Sequence, residues 1–127
     1  MAAFGDDDID RLLADPAIVR HKLKITAAID NARATVRLRG EGTPLAGLVW
    51  SHEPTRHRTR RGGGDVPSST RESLDLSAVL RQHGFRFVGP TTVYSAMQSL
   101  GVVNDHLKGC HAWAACRAAR EGFTPPA

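Results

Sequence analysis

The sequence predicts a single all-α domain, a small helical bundle. Three observations predict it: apolar residues recur at helical spacing in several segments, capping residues and glycines separate those segments, and no segment alternates between apolar and polar residues. The length of 127 residues suits one domain. No apolar run approaches the ~20 residues that a membrane-spanning helix needs.

Three helices are predicted in the first half of the chain. The first is short, from Asp6 to Leu13, with acidic residues at its N-terminus. The second is long and ends at Gly40. Its buried face is predicted from residues spaced three, four or seven apart, namely Ile18, Ile25, Ile29, Ala32 and Val36. The third is the apolar helix from Leu45 to Trp50, with Thr43 as N-cap and Pro44 at its first position.

Residues 52–67 are predicted to form a solvated loop, because they combine charge with three consecutive glycines, Gly62 to Gly64. We call this segment the arginine loop. It carries four arginines, Arg56, Arg58, Arg60 and Arg61. The alternative interpretation is a loop that contacts phosphate.

Three more helices are predicted in the second half. Serines and Thr70 offer caps for a helix that ends at Gly84, and another helix runs from about Thr91 to Gly101. A last helix is expected from Asn104 or Asp105 through Cys110. Residues 1–112 are predicted to be the domain proper, and residues 113–127 an Ala-rich extension whose end, from residue 123, is frayed.

The turn between the fourth and fifth helices is the first candidate site. Two helices joined by a tight glycine-containing turn can present backbone N–H groups beside a helix N-terminus, which binds phosphate without reading sequence. Gly89 would allow close approach of the backbone, and Thr91 and Thr92 could cap the helix or contact phosphate. The alternative is an ordinary αα-hairpin in which Phe85, Phe87 and Val88 pack in the core.

His106 and Cys110 form the second candidate site. Four residues apart, they would share one face of a helix, and imidazole and thiolate are both zinc ligands. Two ligands make half of a structural zinc site. Alternatively, the pair is a buried cysteine beside a hydrogen-bonded histidine.

Charge and composition narrow the class of partner. The formal net charge is +4, and 14 of the 17 basic residues are arginine, which suits a polyanion such as nucleic acid. The N-terminus lacks the pattern of a signal peptide, and the two cysteines do not form a disulfide framework, so a cytoplasmic protein is expected. No catalytic triad and no nucleotide-binding loop is present.

Several strings resemble one known family. They include Gly84-Phe85-Arg86-Phe87-Val88-Gly89-Pro90-Thr91-Thr92 and Val103-Asn104-Asp105-His106 followed by Gly109-Cys110. Their order and spacing are similar to those of the bacterial DNA-3-methyladenine glycosylase I family, from about residue 3 to residue 111. The resemblance implies a helix–hairpin–helix glycosylase that cleaves the N-glycosidic bond of 3-methyladenine in alkylated double-stranded DNA, in base-excision repair.

The resemblance also implies a structural zinc, with His106 and Cys110 as its second pair of ligands. Met1 aligns with the middle of the family, so we expect the family's N-terminal segment to be missing from this chain. That segment carries the other two zinc ligands and the residues that hold the flipped base. No catalytic residue is therefore identifiable here, and the glutamates lie in stretches that do not match the pocket motif.

Two other functions stay open at this point. One is a non-enzymatic remnant that binds DNA through the hairpin without sequence preference. The other is a small helical domain that binds metal or protein and no DNA.

Overall fold

A computed structural model describes residues 1–126, and within them the regular secondary structure is helical, as predicted. Six α-helices follow one another: α1 (Asp6–Ala14), α2 (Lys22–Gly40), α3 (Leu45–Trp50), α4 (Arg71–Gln82), α5 (Pro90–Ser99) and α6 (His111–Glu121). A short 3-10 turn, Gly63–Asp65, lies in the arginine loop, and one isolated bridge joins Arg60 to Leu107. Among these residues, none of the helices combines the length and apolar character that crossing a membrane requires.

The main core lies between α2, α4 and α5. Helix α4 packs on α5, while α2 packs on both α1 and α3. The buried cluster consists of Ala34, Leu38, Leu76, Leu80, Phe85, Val93, Tyr94, Met97, Val102 and Val103. These residues fix the position of the turn between α4 and α5, because Phe85 in that turn belongs to the cluster.

The predicted buried face of α2 is only partly correct. Ile25 and Ile29 are buried, but Val36 is exposed and Ile18 lies outside the helix. The buried residues nearer the C-terminus are Ala34 and Leu38. Each lies nine residues beyond one of the buried isoleucines, which at ~100° per residue places it on about the opposite side of the helix. Helix α2 is thus packed on two sides, and a one-face pattern cannot describe it.

The last predicted helix begins in the wrong place. Residues 104–110 form a loop with a turn at Gly109, whose φ is +96°, and α6 begins only at His111, with Cys110 as its N-cap. Asn104 and Asp105 do not cap a helix, because their side chains make contacts with Trp113 and Arg60. The predicted domain boundary at 112 falls inside α6.

The end of the chain is packed further than predicted. The ring of Phe123 lies 4.9 Å from that of Trp50, and the main-chain oxygen of Phe123 accepts a hydrogen bond from Arg120. A ring contact and a hydrogen bond thus hold Phe123 in the structure. Ala127 lies outside the described residues.

Candidate nucleic-acid interface and metal pair

The turn between α4 and α5, residues 83–89, is an αα-hairpin that leaves backbone donors open. Gly89 is the N-cap of α5, and Pro90, which has no N–H, is its first residue. No side chain caps this helix, so the N–H groups of Thr91 and Thr92 have no side-chain acceptor within the described residues. Both threonines are exposed. The three residues predicted to contact phosphate therefore meet at one helix N-terminus, where the helix dipole favours an anion.

A cation lies beside these donors. A Cβ placed on Gly89 would lie 4.0 Å from Nη2 of Arg81, which belongs to α4. The Arg81 side chain is exposed and makes no ion pair within residues 1–126. An anion at the N-terminus of α5 would thus meet a guanidinium as well as N–H groups. The sequence pattern singled out Gly89 but not Arg81, because their proximity depends on how α4 and α5 pack.

Phe87 takes a conformation that usually needs glycine. Its φ is +57°, in the left-handed region that bulky side chains seldom occupy. Phe85 is buried, Val88 packs against the core from a half-buried position, and the Phe87 side chain is 53% exposed. The alternative in which all three residues pack in the core is wrong for Phe87, because that residue is exposed.

Helix α2 holds the hairpin through its main chain. Asn31 donates from Nδ2 to the oxygen of Arg86 (3.0 Å) and accepts from the nitrogen of Arg86 (2.8 Å). Arg37 donates to the oxygen of His83 at 2.8 Å. From α4, the buried Ser77 donates to the oxygen of Val88 at 2.6 Å. These residues fix the hairpin, and the local sequence signal for Asn31 was an asparagine, a weak helix former, inside a long helix.

A largely buried ion pair holds the arginine loop. Nε of Arg60 lies 2.7 Å from Oδ1 of Asp105, and their side chains are only 12% and 8% exposed. The hydroxyl of Tyr94 donates to Oδ2 of Asp105, and Gln98 donates to the same oxygen at 2.9 Å. We call these four residues the Asp105 cluster. The arginine loop is therefore exposed along much of its length, as the sequence predicted, and is tied to the core at Arg60.

The environment of the Asp105 cluster shifts two ionisation equilibria. Desolvation by burial acts to raise the pKa of Asp105, but hydrogen bonds from Tyr94, Arg60 and Gln98 outweigh it and the pKa is lowered. Burial, followed by the hydrogen bond to Asp105, raises the pKa of Tyr94 to about 12. The cluster therefore holds a charged carboxylate and a neutral phenol at neutral pH.

His106 and Cys110 lie close together, although not on a helix. Nδ1 of His106 is 4.0 Å from Sγ of Cys110, and the turn at Gly109 brings them together. Two ligands of one tetrahedral zinc lie roughly 3.5 Å apart, so the pair fits half of such a site after a small movement. Within the described residues, no group of three or more metal-binding side chains exists, so neither His52, His57, His111 nor Cys116 completes it.

Comparisons with known proteins agree on one family. The family model described as methyladenine glycosylase matches residues 1–113. The chain is 44% identical over 115 residues to DNA-3-methyladenine glycosylase 1 of Escherichia coli K12, covering 87% of this chain and 60% of the relative.

Two solved structures are also similar. A crystal structure of 3-methyladenine DNA glycosylase I superposes with a TM-score of 0.82 at 40% identity, covering 87% of this chain and 62% of the other. A structure of the Staphylococcus aureus enzyme that concerns recognition of 3-methyladenine gives 0.80 at 30% identity, covering 88% and 61%. The chain thus spans about 60% of the length of the relatives it matches. With the family model matched along most of its length, the chain belongs to the methyladenine glycosylase family.

Proposed function

We propose that this chain is the hairpin-bearing part of a DNA-3-methyladenine glycosylase, which hydrolyses the N-glycosidic bond of 3-methyladenine in alkylated double-stranded DNA. The observation that carries the proposal is the family match over residues 1–113, which includes the whole hairpin. Such an enzyme begins base-excision repair. Two free cysteines agree with action in the cytoplasm, where thiols stay reduced.

In this proposal the chain supplies the contacts to the DNA backbone. Gly89, Thr91 and Thr92 receive a phosphate at the N-terminus of α5, and Arg81 adds a guanidinium beside it. Contacts to phosphate position the protein without reading sequence. We therefore expect binding that is independent of sequence and falls steeply with salt, because neutralised phosphates release counterions.

Base release then requires, besides this chain, the part of the relatives' length that the chain does not span. Cleavage needs the damaged base out of the stack and held in a shaped pocket. Two partly buried carboxylates of this chain are already engaged, Asp105 in its cluster and Glu53 with Arg120 at 2.7 Å. The 3-methyladenine base is cationic and a good leaving group, so positioning matters more than a strong general acid.

A charge-matched pair of variants tests the DNA contact. Gly89→Asp places a carboxylate at the N-cap of α5, and Gly5→Asp places the same charge at the N-cap of α1. Neither position has a heavy atom closer than 4.0 Å to an added Cβ, so both variants should fold. Fluorescence anisotropy with duplex DNA should show at least about tenfold weaker binding for Gly89→Asp alone. Equal affinities for the two variants would exclude the hairpin as the DNA contact.

Release of methylated base from alkylated DNA tests the activity. We expect none from this chain alone and activity from a fusion that places the N-terminal part of a relative ahead of Met1. Release by the chain alone above a heat-killed control would mean that its own residues form a base pocket. Duplex binding by a fusion that releases no base would instead favour the second candidate function, a DNA-binding module without activity.

We further propose that His106 and Cys110 are two of the four ligands of a structural zinc, which would stabilise the fold when bound. The 4.0 Å separation of Nδ1 and Sγ supports this assignment. With two ligands, the chain should bind zinc weakly or by bridging two copies. Chelator competition, carried out on the parent chain and on His106→Ala and Cys110→Ser, measures the zinc affinity. Tight one-to-one binding that both variants abolish would show that two further ligands exist in the chain and would contradict the half-site.

A further inference from the structure

One arginine near the end of α6 attaches this helix to the rest of the chain. None of the residues of α6 is buried, so burial of an apolar face does not fix the helix in place. Arg120 binds Glu53 through two nitrogens, and its Nε lies 2.7 Å from Oε1. The Arg120 guanidinium also lies over the ring of Trp50, 5.1 Å from its centroid, and donates to the main-chain oxygen of Phe123 at 3.0 Å. Arg120 therefore joins α6 both to α3 and to the start of the arginine loop.

Glu53 is the point at which the arginine loop and α6 meet. Its Oε1 lies 3.2 Å from Nε2 of His57, which follows four residues later in the loop. The hydrogen bond from Arg120 and, less strongly, His57 lower the pKa of Glu53, so the carboxylate is charged at neutral pH. The Glu53 side chain is only 20% exposed, and salt screens such a pair less than one on the open surface. Removal of Arg120 would therefore leave Glu53 without its main partner and would release the loop at this end.

The segment between Glu53 and Arg60 carries cations that no ion pair uses. At its far end, Arg60 is paired with Asp105 at 2.7 Å, which fixes that end to the core. Between the two ends, Arg56 and Arg58 are exposed and make no ion pair within residues 1–126. The position of these two guanidiniums therefore depends on two anchors, one in the core and the other on α6.

We propose that residues 114–126 form a strap that positions the arginine loop, and with it Arg56 and Arg58, for contact with DNA phosphates. Arg120 is the positioning residue, because it acts through the anchor of the loop and does not itself touch the DNA. A loop that is fixed before binding loses less conformational entropy when it meets its ligand. The inference rests on the proposed function, since it takes DNA as the anion. It also goes beyond that function, because Arg120 lies outside the residues that the family model matches.

Limited trypsin digestion of the full chain measures the mobility of the arginine loop, because trypsin cleaves after basic residues in mobile segments. Arg120→Ala is the test variant, and Arg117→Ala is its matched control. Arg117 also makes an ion pair and lies over a tryptophan ring, but its partners, Glu121 and Trp113, both belong to α6. We expect Arg120→Ala to speed cleavage within the arginine loop about fivefold, and Arg117→Ala to speed it less than about twofold.

Cleavage after Arg33 separates a local effect from instability of the whole domain. Arg33 lies within α2, so the bond after it is cut only when that helix unfolds, and its cleavage should be unchanged in both variants. Arg120→Lys keeps the charge but cannot bind Glu53 through two nitrogens, so it should restore part of the protection of the loop. Equal cleavage of the loop in Arg120→Ala and Arg117→Ala would overturn the proposal. So would a rise after Arg33 as large as the rise within the loop.

Duplex binding, measured by fluorescence anisotropy, tests the consequence for DNA. Arg120→Ala should weaken binding about threefold, and more than Arg117→Ala, which removes the same charge. In a chain that already carries Arg56→Ala/Arg58→Ala, the two variants should have equal effects, because the contacts that Arg120 positions are gone. An undiminished effect of Arg120→Ala in that chain would overturn the proposal. A parent chain that bound no duplex would contradict the proposed function, whereas the cleavage of the loop would still decide whether the strap fixes it.

Discussion

The hairpin at residues 83–89 and the arginine loop are held in place by different kinds of interaction. Side chains of α2 and α4 bind the hairpin by its main-chain atoms, as Asn31 does at Arg86 and Ser77 at Val88. The arginine loop is held chiefly by ion pairs between side chains distant in sequence, Arg60 with Asp105 and Glu53 with Arg120. Anchoring the main chain leaves the hairpin side chains free to vary, whereas the loop depends on a few individual charges.

The largest expected effect is the loss of the ion pair that holds the arginine loop. Asp105→Ala leaves the guanidinium of Arg60 largely buried without its partner, which should lower the free energy of unfolding by about 3 kcal/mol. Urea denaturation measures the loss. The control is Asp75→Ala, whose pair with Arg71 is 58% and 88% exposed and should contribute under about 0.5 kcal/mol. Equal losses in both variants would mean that burial adds nothing to the Arg60 pair.

Tyr94→Phe should have a smaller effect with a characteristic pH dependence. It removes the hydrogen bond that Tyr94 donates to the charged Asp105, which contributes about 2 kcal/mol, and the longer hydrogen bond that Tyr94 accepts from Arg60. Because the folded pKa of Tyr94 is raised to about 12 from 10.0, its contribution is complete below pH 10 and is lost between pH 10 and 12. Denaturation midpoints measured from pH 8 to 12 should therefore fall more steeply in the parent than in Tyr94→Phe. Parallel curves would contradict the assigned environment.

At acid pH, Asp105 has the opposite effect to Tyr94: its contribution to stability falls as the pH is lowered. The folded pKa of Asp105 is lowered, so its contribution is present above that ordinary value and is lost as the pH falls through the folded pKa. Acid denaturation should thus begin at a higher pH in Arg60→Ala, where one of the hydrogen bonds to the carboxylate is missing. An unchanged acid midpoint in that variant would show that the pair does not govern acid stability.

Asn31→Ala tests the hairpin at residues 83–89. It removes both hydrogen bonds to Arg86 but leaves groups that water can reach, so we expect a loss of about 1.5 kcal/mol. Ser99→Ala, which removes a bond within one helix, is the control and should cost less. If the main-chain contacts position the hairpin, Asn31→Ala should also weaken duplex binding in the anisotropy assay, and Ser99→Ala should not.

The smallest expected effect is the difference in stability between Gly84→Ala and Gly101→Ala, which separates backbone strain from crowding at the hairpin. Gly84 and Gly101 both have positive φ, +84° and +76°, so alanine should destabilise each by about 1 kcal/mol. At Gly84 an added Cβ would also lie 3.2 Å from Nη2 of Arg37, whereas space is open at Gly101. A larger loss of thermal stability for Gly84→Ala would measure that crowding, and equal losses would show that Arg37 moves aside without cost.

The sequence by itself determined the all-helical fold, the short helix at residues 45–50 and the limits of α4 and α5. Those features depend on local signals, such as the cap at Thr70 and the glycine after α5, which act over a few residues of chain. It also brought together Gly89, Thr91 and Thr92, because they are neighbours in one turn of chain.

Only the tertiary structure decided where Arg60, Asp105 and Arg81 act and which sides of α2 are buried. Asp105 had the sequence signal of a helix cap, yet it accepts hydrogen bonds from residues up to 45 positions away. His106 and Cys110 meet through a turn at Gly109 rather than along a helix. Local spacing specifies which groups a helix or turn can bring together, but a contact between distant segments depends on how the helices pack, and packing is a property of the whole chain.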